Sequence, residues 1–243
     1  MTSVTWLGQC GFYIDTGDLR IMTDPYLSDY LQELMGPSMR RLVPADPAYL
    51  SVTPDVMILT HDHQDHMDMP TLQKILLDAP PAMILAPGNA FGQVKANCGK
   101  QHNYVLFEEG TEWTQNGVRF KAVKAIHSDR SAIGVLISTE QETIYLTGDT
   151  LYSKRIADSV DEPVDLMLAV MNGKGNNMNA VDAARLAKDI QPKAVAPIHW
   201  GMFEDFTDDP MKFVEVMAGS GIAVHIPDFF KTETIQEFMQ ANK

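Results

Sequence analysis

At 243 residues with 45% hydrophobic side chains, the chain is long enough to bury a sizeable core, in one large domain or two small ones. A formal net charge of −13 argues against nucleic acid as a partner, because phosphate backbones are held by basic surfaces. The two cysteines, Cys10 and Cys98, lack C-x-x-C spacing and exclude a disulfide framework. With no basic-then-apolar leader and no apolar run of about 18 residues, no membrane partner and a cytoplasmic location are expected.

Three short strand-like runs open the chain: Val4 to Leu7, Phe12 to Ile14, and Leu19 to Thr23. Gly8, Gly11 and the Thr16-Gly17-Asp18 turn separate them, so an antiparallel meander is predicted, ending at Asp24-Pro25 where proline cannot continue a ladder. Residues 27–55 carry Pro37, Pro44, Pro47 and Pro54 with little periodicity and read as a long functional or mobile loop.

The apolar run Val56-Met57-Ile58-Leu59 leads into Thr60-His61-Asp62-His63-Gln64-Asp65-His66, which packs three histidines and two aspartates into seven residues. His61, His63, Asp65 and His66 at this spacing cannot share one face of a regular helix or strand. They belong on a tight loop wrapped around metal ions. The competing account, a solvated loop rich in histidine by chance, is much the rarer case.

Beyond this loop, Pro70 opens a helix with Leu72, Ile75 and Leu76 on one face, stopping before Pro80-Pro81. Met83 to Ala86 reads as a strand, and Asn89 to Asn97 as a helix closed by Gly99. Asn116-Gly117 is a strong hairpin turn between Glu112–Thr114 and Val118–Phe120. Ile133 to Ser138 pairs with Thr143 to Leu146 across residues 139–142, after which strands alternate with helices. Asn179 caps a helix lined by Ala183, Leu186, Ala187 and Ile190, and strand Val195 to Ile198 follows. Asp209-Pro210 opens a last core helix with Phe213, Val216 and Met217 inward; Ile222 to Ile226 reads as a final strand, and the tail beyond Lys231 as surface.

The motif His61-x-His63-x-Asp65-His66 resembles the H-x-H-x-D-H signature of the metallo-β-lactamase fold superfamily. That resemblance extends, in the family's order, to His127, to Asp149 in Thr147-Gly148-Asp149-Thr150, and to His199, each after an apolar strand-like run. It implies one ion held by His61, His63 and His127, a second held by Asp65, His66 and His199, and Asp149 bridging both. It further implies an α/β (α+β) fold, a four-layer αββα sandwich. Because the implied ligands must converge, residues 1–243 are expected to form one hydrolase domain. Two divalent ions, zinc or manganese with iron also admissible, would supply the activated water, with Asp65 and Asp149 as catalytic carboxylates. His102 and His225 lie outside this pattern and read as structural.

Trp6 to Gly11, Leu59 to Asp68, Thr147 to Ser153 and Lys193 to Trp200 are similar to the bacterial L-ascorbate-6-phosphate lactonases. Those enzymes are longer, and this chain has Trp200 where they often have a second histidine. The resemblance implies a dinuclear metal-dependent hydrolase opening a lactone or carboxylic ester of a small, perhaps phosphorylated, sugar acid. A metallophosphodiesterase is the alternative, ahead of a di-iron redox protein or a non-catalytic metal binder. Arg40, Arg41 and Arg130 are candidates for gripping a phosphate, and Tyr152, Asn172 and Trp200, with Asn176 and Asn177, for other substrate contacts. Asp24 is expected to hydrogen-bond a ligand histidine. A small-molecule substrate is the expected partner, with a homo-oligomer left open.

Overall fold

A computed structural model describes residues 1–240. The chain forms strands β1 (Ser3–Gly8), β2 (Gly11–Asp15) and β3 (Arg20–Thr23), then helix α1 (Tyr30–Met35), strand β4 (Val56–Ile58), helix α2 (Met69–Leu76), strand β5 (Met83–Ala86), helix α3 (Gly88–Asn97) and strand β6 (Asn103–Leu106). The second half runs β7 (Glu112–Gln115), β8 (Val118–Lys124), β9 (Ile133–Ser138), β10 (Thr143–Leu146), α4 (Lys154–Ala157), β11 (Leu166–Val170), α5 (Ala180–Ile190), β12 (Ala194–Ile198), α6 (Pro210–Met217), β13 (Ala223–Val224), β14 (Thr232–Thr234) and α7 (Ile235–Gln240).

Two mixed sheets result, ordered β14-β1-β2-β3-β4-β5-β6 and β13-β12-β11-β10-β9-β8-β7. In each, an antiparallel meander passes into parallel strands. The sheets bury alternate side chains against each other: Val4, Trp6, Phe12 and Ile21 from the first meet Phe120, Val135, Leu146 and Leu168 from the second. The opposite residues face helices. Met57, Leu59 and Ile84 pack on α2 and α3, while Tyr145, Met167 and Val195 pack on α5 and α6. This is the four-layer αββα sandwich, and it explains why the inner parallel strands β4, β5, β11 and β12 are apolar throughout: both of their faces are covered.

Two regions depart from the sequence expectations. Residues 27–55 are not a featureless loop: α1 and two 3₁₀ turns, Pro37–Met39 and Pro47–Ser51, fold over the sheets. The Asp68 carboxylate ties this segment down, accepting the Leu27 and Ser28 amides at 3.2 and 3.0 Å and the Ser28 hydroxyl at 2.7 Å. The tail beyond Lys231 is not all surface either, as residues 232–240 show, while 241–243 lie outside the described residues. β14 adds antiparallel to β1, pairing Ser3 with Thr234, and α7 then buries Ile235 and Phe238 in the core between the sheets. A helix of six residues carries too few turns to show a period in sequence. Phe238→Ala is therefore expected to cost about 3–5 kcal/mol, read as a lowered denaturation midpoint with unchanged slope.

Candidate metal centre

In both sheets the parallel strands point their carboxyl ends at one edge, the position where open α/β sheets place ligands. His61 follows β4, His127 follows β8, Asp149 follows β10 and His199 follows β12. The loop carrying His61, His63, Asp65 and His66 curls tightly, with the His66 and Met67 amides donating to the His63 carbonyl at 3.0 and 2.7 Å. The Thr60 carbonyl accepts the Ile133 amide at 3.0 Å, which stitches this loop to the opposite sheet. Gly148 sits at φ +59, and a Cβ there would lie 2.5 Å from the Ile133 carbonyl oxygen, so only glycine lets Asp149 enter. Gln9, Asp24, Asn176 and His199 adopt φ of +50, +35, +65 and +65, left-handed values that cost non-glycine residues of order 1–3 kcal/mol each. Strain concentrated in this way marks a site selected for geometry.

All seven expected ligands fall in one cluster. His61, His63 and His127 form one trio of potential ligand atoms, and Asp65, His66 and His199 another. His63 Nδ1 stands 3.2 Å from His127 Nε2, and His66 Nε2 stands 3.3 Å from His199 Nε2. Asp65 Oδ2 is 3.4 Å from His199 Nε2. Asp149 lies between the trios, its Oδ2 at 3.5 Å from His66 Nε2 and 3.8 Å from His127 Nε2, its Oδ1 at 3.3 Å from His199 Nε2. Ligands held at about 2.0–2.1 Å around a tetrahedral cation stand about 3.3 Å apart.

The outer hydrogen bonds give the protonation pattern. Thr60 donates its hydroxyl to Asp24 Oδ2 at 2.5 Å and so accepts from His61 Nδ1 at 3.0 Å. His61 Nε2 is then an acceptor, buried and without a partner. His127 Nδ1 faces the Asn176 carbonyl at 3.2 Å, which accepts only, so its Nε2 also carries a lone pair. His66 Nδ1 donates to Asp24 Oδ2 at 2.9 Å. Asp24 thus orients His66 directly and His61 through Thr60. The unprotonated Nε2 atoms of His61 and His127 fit a divalent cation, and His61 Nε2 has no hydrogen-bond partner among the described residues.

Electrostatics agree. Burial, and then the neighbouring His66, hold His61 well below the usual imidazole range, which keeps it in the neutral, ligating form. Burial opposes charge on His66 too, but Asp149 and Asp65 win and raise it well above that range. Asp149 is held well below the carboxylate range, against burial, by His199 and His66. A buried anion whose charge is balanced by protonated His66 is one a metal ion can take over by displacing that proton.

Three supporting side chains carry no motif of their own. Gln9 Nε2 donates to Asp65 Oδ2 at 2.8 Å, Asn177 Nδ2 donates to Asp149 Oδ2 at 2.8 Å, and the Cys10 thiol lies 3.7 Å from Asp149 Oδ1. Burial pushes the Cys10 thiol far up, so it remains a protonated donor. Gln9 and Cys10 lie in the Gly8–Gly11 turn that joins β1 to β2, where no metal-ligand motif marks them.

A cavity of about 270 Å³ opens on the cluster, with His63, Asp65, Asp149 and His199 at its floor. Among the side chains expected to touch substrate, Asn172, Asn176 and Asn177 line it. The others are engaged elsewhere. Arg41 is buried, with its guanidinium donating to the Tyr26 and Val43 carbonyls. Arg40 borders a separate hollow beside Glu204. Tyr152 donates to Asp189 at 2.8 Å beneath Arg185, and Trp200 packs 5.1 Å from Trp6 while donating to the Pro197 carbonyl. Arg130 lines a neighbouring groove that includes His63 and Ser128. Outside the cluster, His102 accepts the Ala82 amide at 3.1 Å and His225 pairs with Glu233 at 3.1 Å.

Residues 3–199 match the family model described as the β-lactamase superfamily domain. A UPF0173 metal-dependent hydrolase of Oenococcus oeni is 29% identical over 246 residues, covering 94% of this chain and 97% of the relative. The mitochondrial N-acyl-phosphatidylethanolamine-hydrolyzing phospholipase D of Saccharomyces cerevisiae is 24% identical over 94% of this chain, but only 55% of that protein is covered. A metallo hydrolase of Ignicoccus hospitalis shares the fold at a TM-score of 0.76 and 17% identity, over 96% of this chain and 98% of that one.

Proposed function

The chain belongs to the metallo-β-lactamase superfamily, as a metal-dependent hydrolase, and on that premise we propose that it opens a small lactone or other carboxylic ester at a dinuclear centre. His61, His63 and His127 would hold one cation, Asp65, His66 and His199 the other, and Asp149 would contribute to both. The observation that carries this reading is His61 Nε2, buried without a partner among the described residues, in one trio with His63 and His127. Imidazole and carboxylate together suit zinc or manganese, and iron is admissible. Divalent cations bound there supply Lewis acidity and lower the pKa of water toward about 7. Asp65 reaches the cavity floor, and with Oδ2 fixed by Gln9 its other oxygen orients the attacking water and takes its proton.

A sugar-acid lactone is the substrate that the lactonase resemblance implies. If it is phosphorylated, Arg130 is the one of the three candidate arginines that shares a groove with His63. Ligands drawn from both sheets support residues 1–243 acting as one hydrolase unit. No helix among the described residues is long and apolar enough to cross a membrane. The buried, unpaired Cys10 and Cys98 support a cytoplasmic location.

The name of the yeast relative favours a second reading, a phosphodiesterase in which the phosphate itself lies on the metals. A hydrolysis screen over lactones, carboxylic esters and phosphodiesters, with zinc and with manganese, separates the two. Turnover of lactones or esters well above phosphodiesters is expected; the reverse order establishes the second reading.

A further inference from the structure

The cavity above the cluster is built from two kinds of surface. Its wall is apolar: Leu31, Met35 and Met39 from the folded 27–55 segment face Phe203 and Phe206. Met35 and Phe206, at 61% and 36% exposure, leave large apolar side chains at the rim. Its polar contribution is amide. Asn172 and Asn177 both line the cavity, at 1% and 7% exposure, and each has a side-chain Oδ1 that is buried without a hydrogen-bond partner. Their orientation is set by what the amide nitrogens do. Asn177 Nδ2 donates to the Asp149 carboxylate, which only accepts, and Asn172 Nδ2 faces the Phe206 carbonyl at 3.5 Å. The oxygens are therefore the unpaired ends, and a buried unpaired acceptor is costly until a donor reaches it. Among the described residues no lysine or arginine lines this cavity.

We propose that this cavity takes an uncharged ester or lactone bearing an apolar group and a neighbouring N–H or O–H donor, rather than a phosphorylated sugar acid. The apolar group lies against Met35, Phe203 and Phe206. The donor reaches Asn172 Oδ1, and the carbonyl faces the floor of candidate metal-ligating side chains. A phosphate placed in this cavity away from that floor would meet no cationic side chain, inside a chain whose net charge is −13. This assignment rests on the proposed hydrolase reading of the same centre and narrows its substrate.

The test measures binding by calorimetry to the full chain stripped of metal, so that neither turnover nor phosphate coordination to metal contributes. The probes are N-benzylacetamide, its N-methylated analogue without the donor, and benzyl phosphate, the amides standing in for an ester as stable carbonyl compounds. N-benzylacetamide is expected to bind about tenfold or more tightly than either of the others, the range for a buried acceptor left unpaired. Asn172→Leu should erase the difference between the two amides. Phe206→Ala, at the exposed rim, should weaken both amides severalfold with the fold intact. Equal binding of the two amides, tightest binding of benzyl phosphate, or no binding of any probe overturns the assignment, and the unmutated protein decides this even if Asn172→Leu does not fold. Turnover of the metal-loaded protein is scored separately. If no ester is hydrolysed while the binding order holds, the hydrolase reading fails and the pocket assignment stands. If phosphorylated lactones are the best substrates, the pocket assignment fails and the hydrolase reading stands.

Discussion

Asp149→Asn is expected to lower hydrolytic turnover by about 100-fold or more in metal-replete protein, with the fold retained. The substitution keeps the side chain's size and the possibility of a hydrogen bond with Asn177, but removes the one negative charge placed between both trios. Asp149 is only 4% exposed, and within 4 Å its two oxygens meet His66, His127 and His199. An amide there cannot balance two cations at once, so their spacing and occupancy both change. The measurement is kcat together with bound metal per chain. A variant that keeps near-native turnover with two metals bound would remove Asp149 from the bridging role.

Removing metal is expected to lower the melting temperature by about 8–16 °C. Free cation at a thousandfold above its dissociation constant contributes about 4 kcal/mol to the folded state, and in a protein of this size each kcal/mol moves the melting temperature by about 2–4 °C. A bound cation would also satisfy His61 Nε2, which is buried without a partner among the described residues. Scanning calorimetry before and after chelation, with metal added back, reads the effect. Identical melting with and without metal would mean that these residues do not bind it in the folded state.

The core of this site is legible in the sequence because its signal is local. Histidine and aspartate recurring within seven residues after an apolar strand supply the donor density that a metal loop needs and a solvated loop rarely has, and His127, Asp149 and His199 each end an apolar run. Strand β6 is not legible: its residues are partly exposed at a sheet edge, so no burial pattern marks it. Helix α7 escapes notice because two buried side chains three residues apart do not make a period. The substrate contacts are the least readable. Arg41 reads as a candidate phosphate contact, yet it is buried and donates to the Tyr26 carbonyl, and Leu31 and Met39 fall in a stretch read as a loop, yet they form a cavity wall; both outcomes depend on how residues 27–55 fold over the strand ends. Gln9 reaches Asp65 across 56 positions of chain, a contact that no local pattern announces.

Seven side chains from two sheets are proposed to hold a pair of divalent cations. Crystals of the metal-loaded protein, measured for anomalous scattering at the zinc and manganese edges, test it most directly. The account predicts two peaks per chain about 3.5–4 Å apart, one against His61, His63 and His127 and the other against Asp65, His66 and His199, with Asp149 touching both. A single peak, or none at the cluster in protein that hydrolyses its substrate, would contradict it.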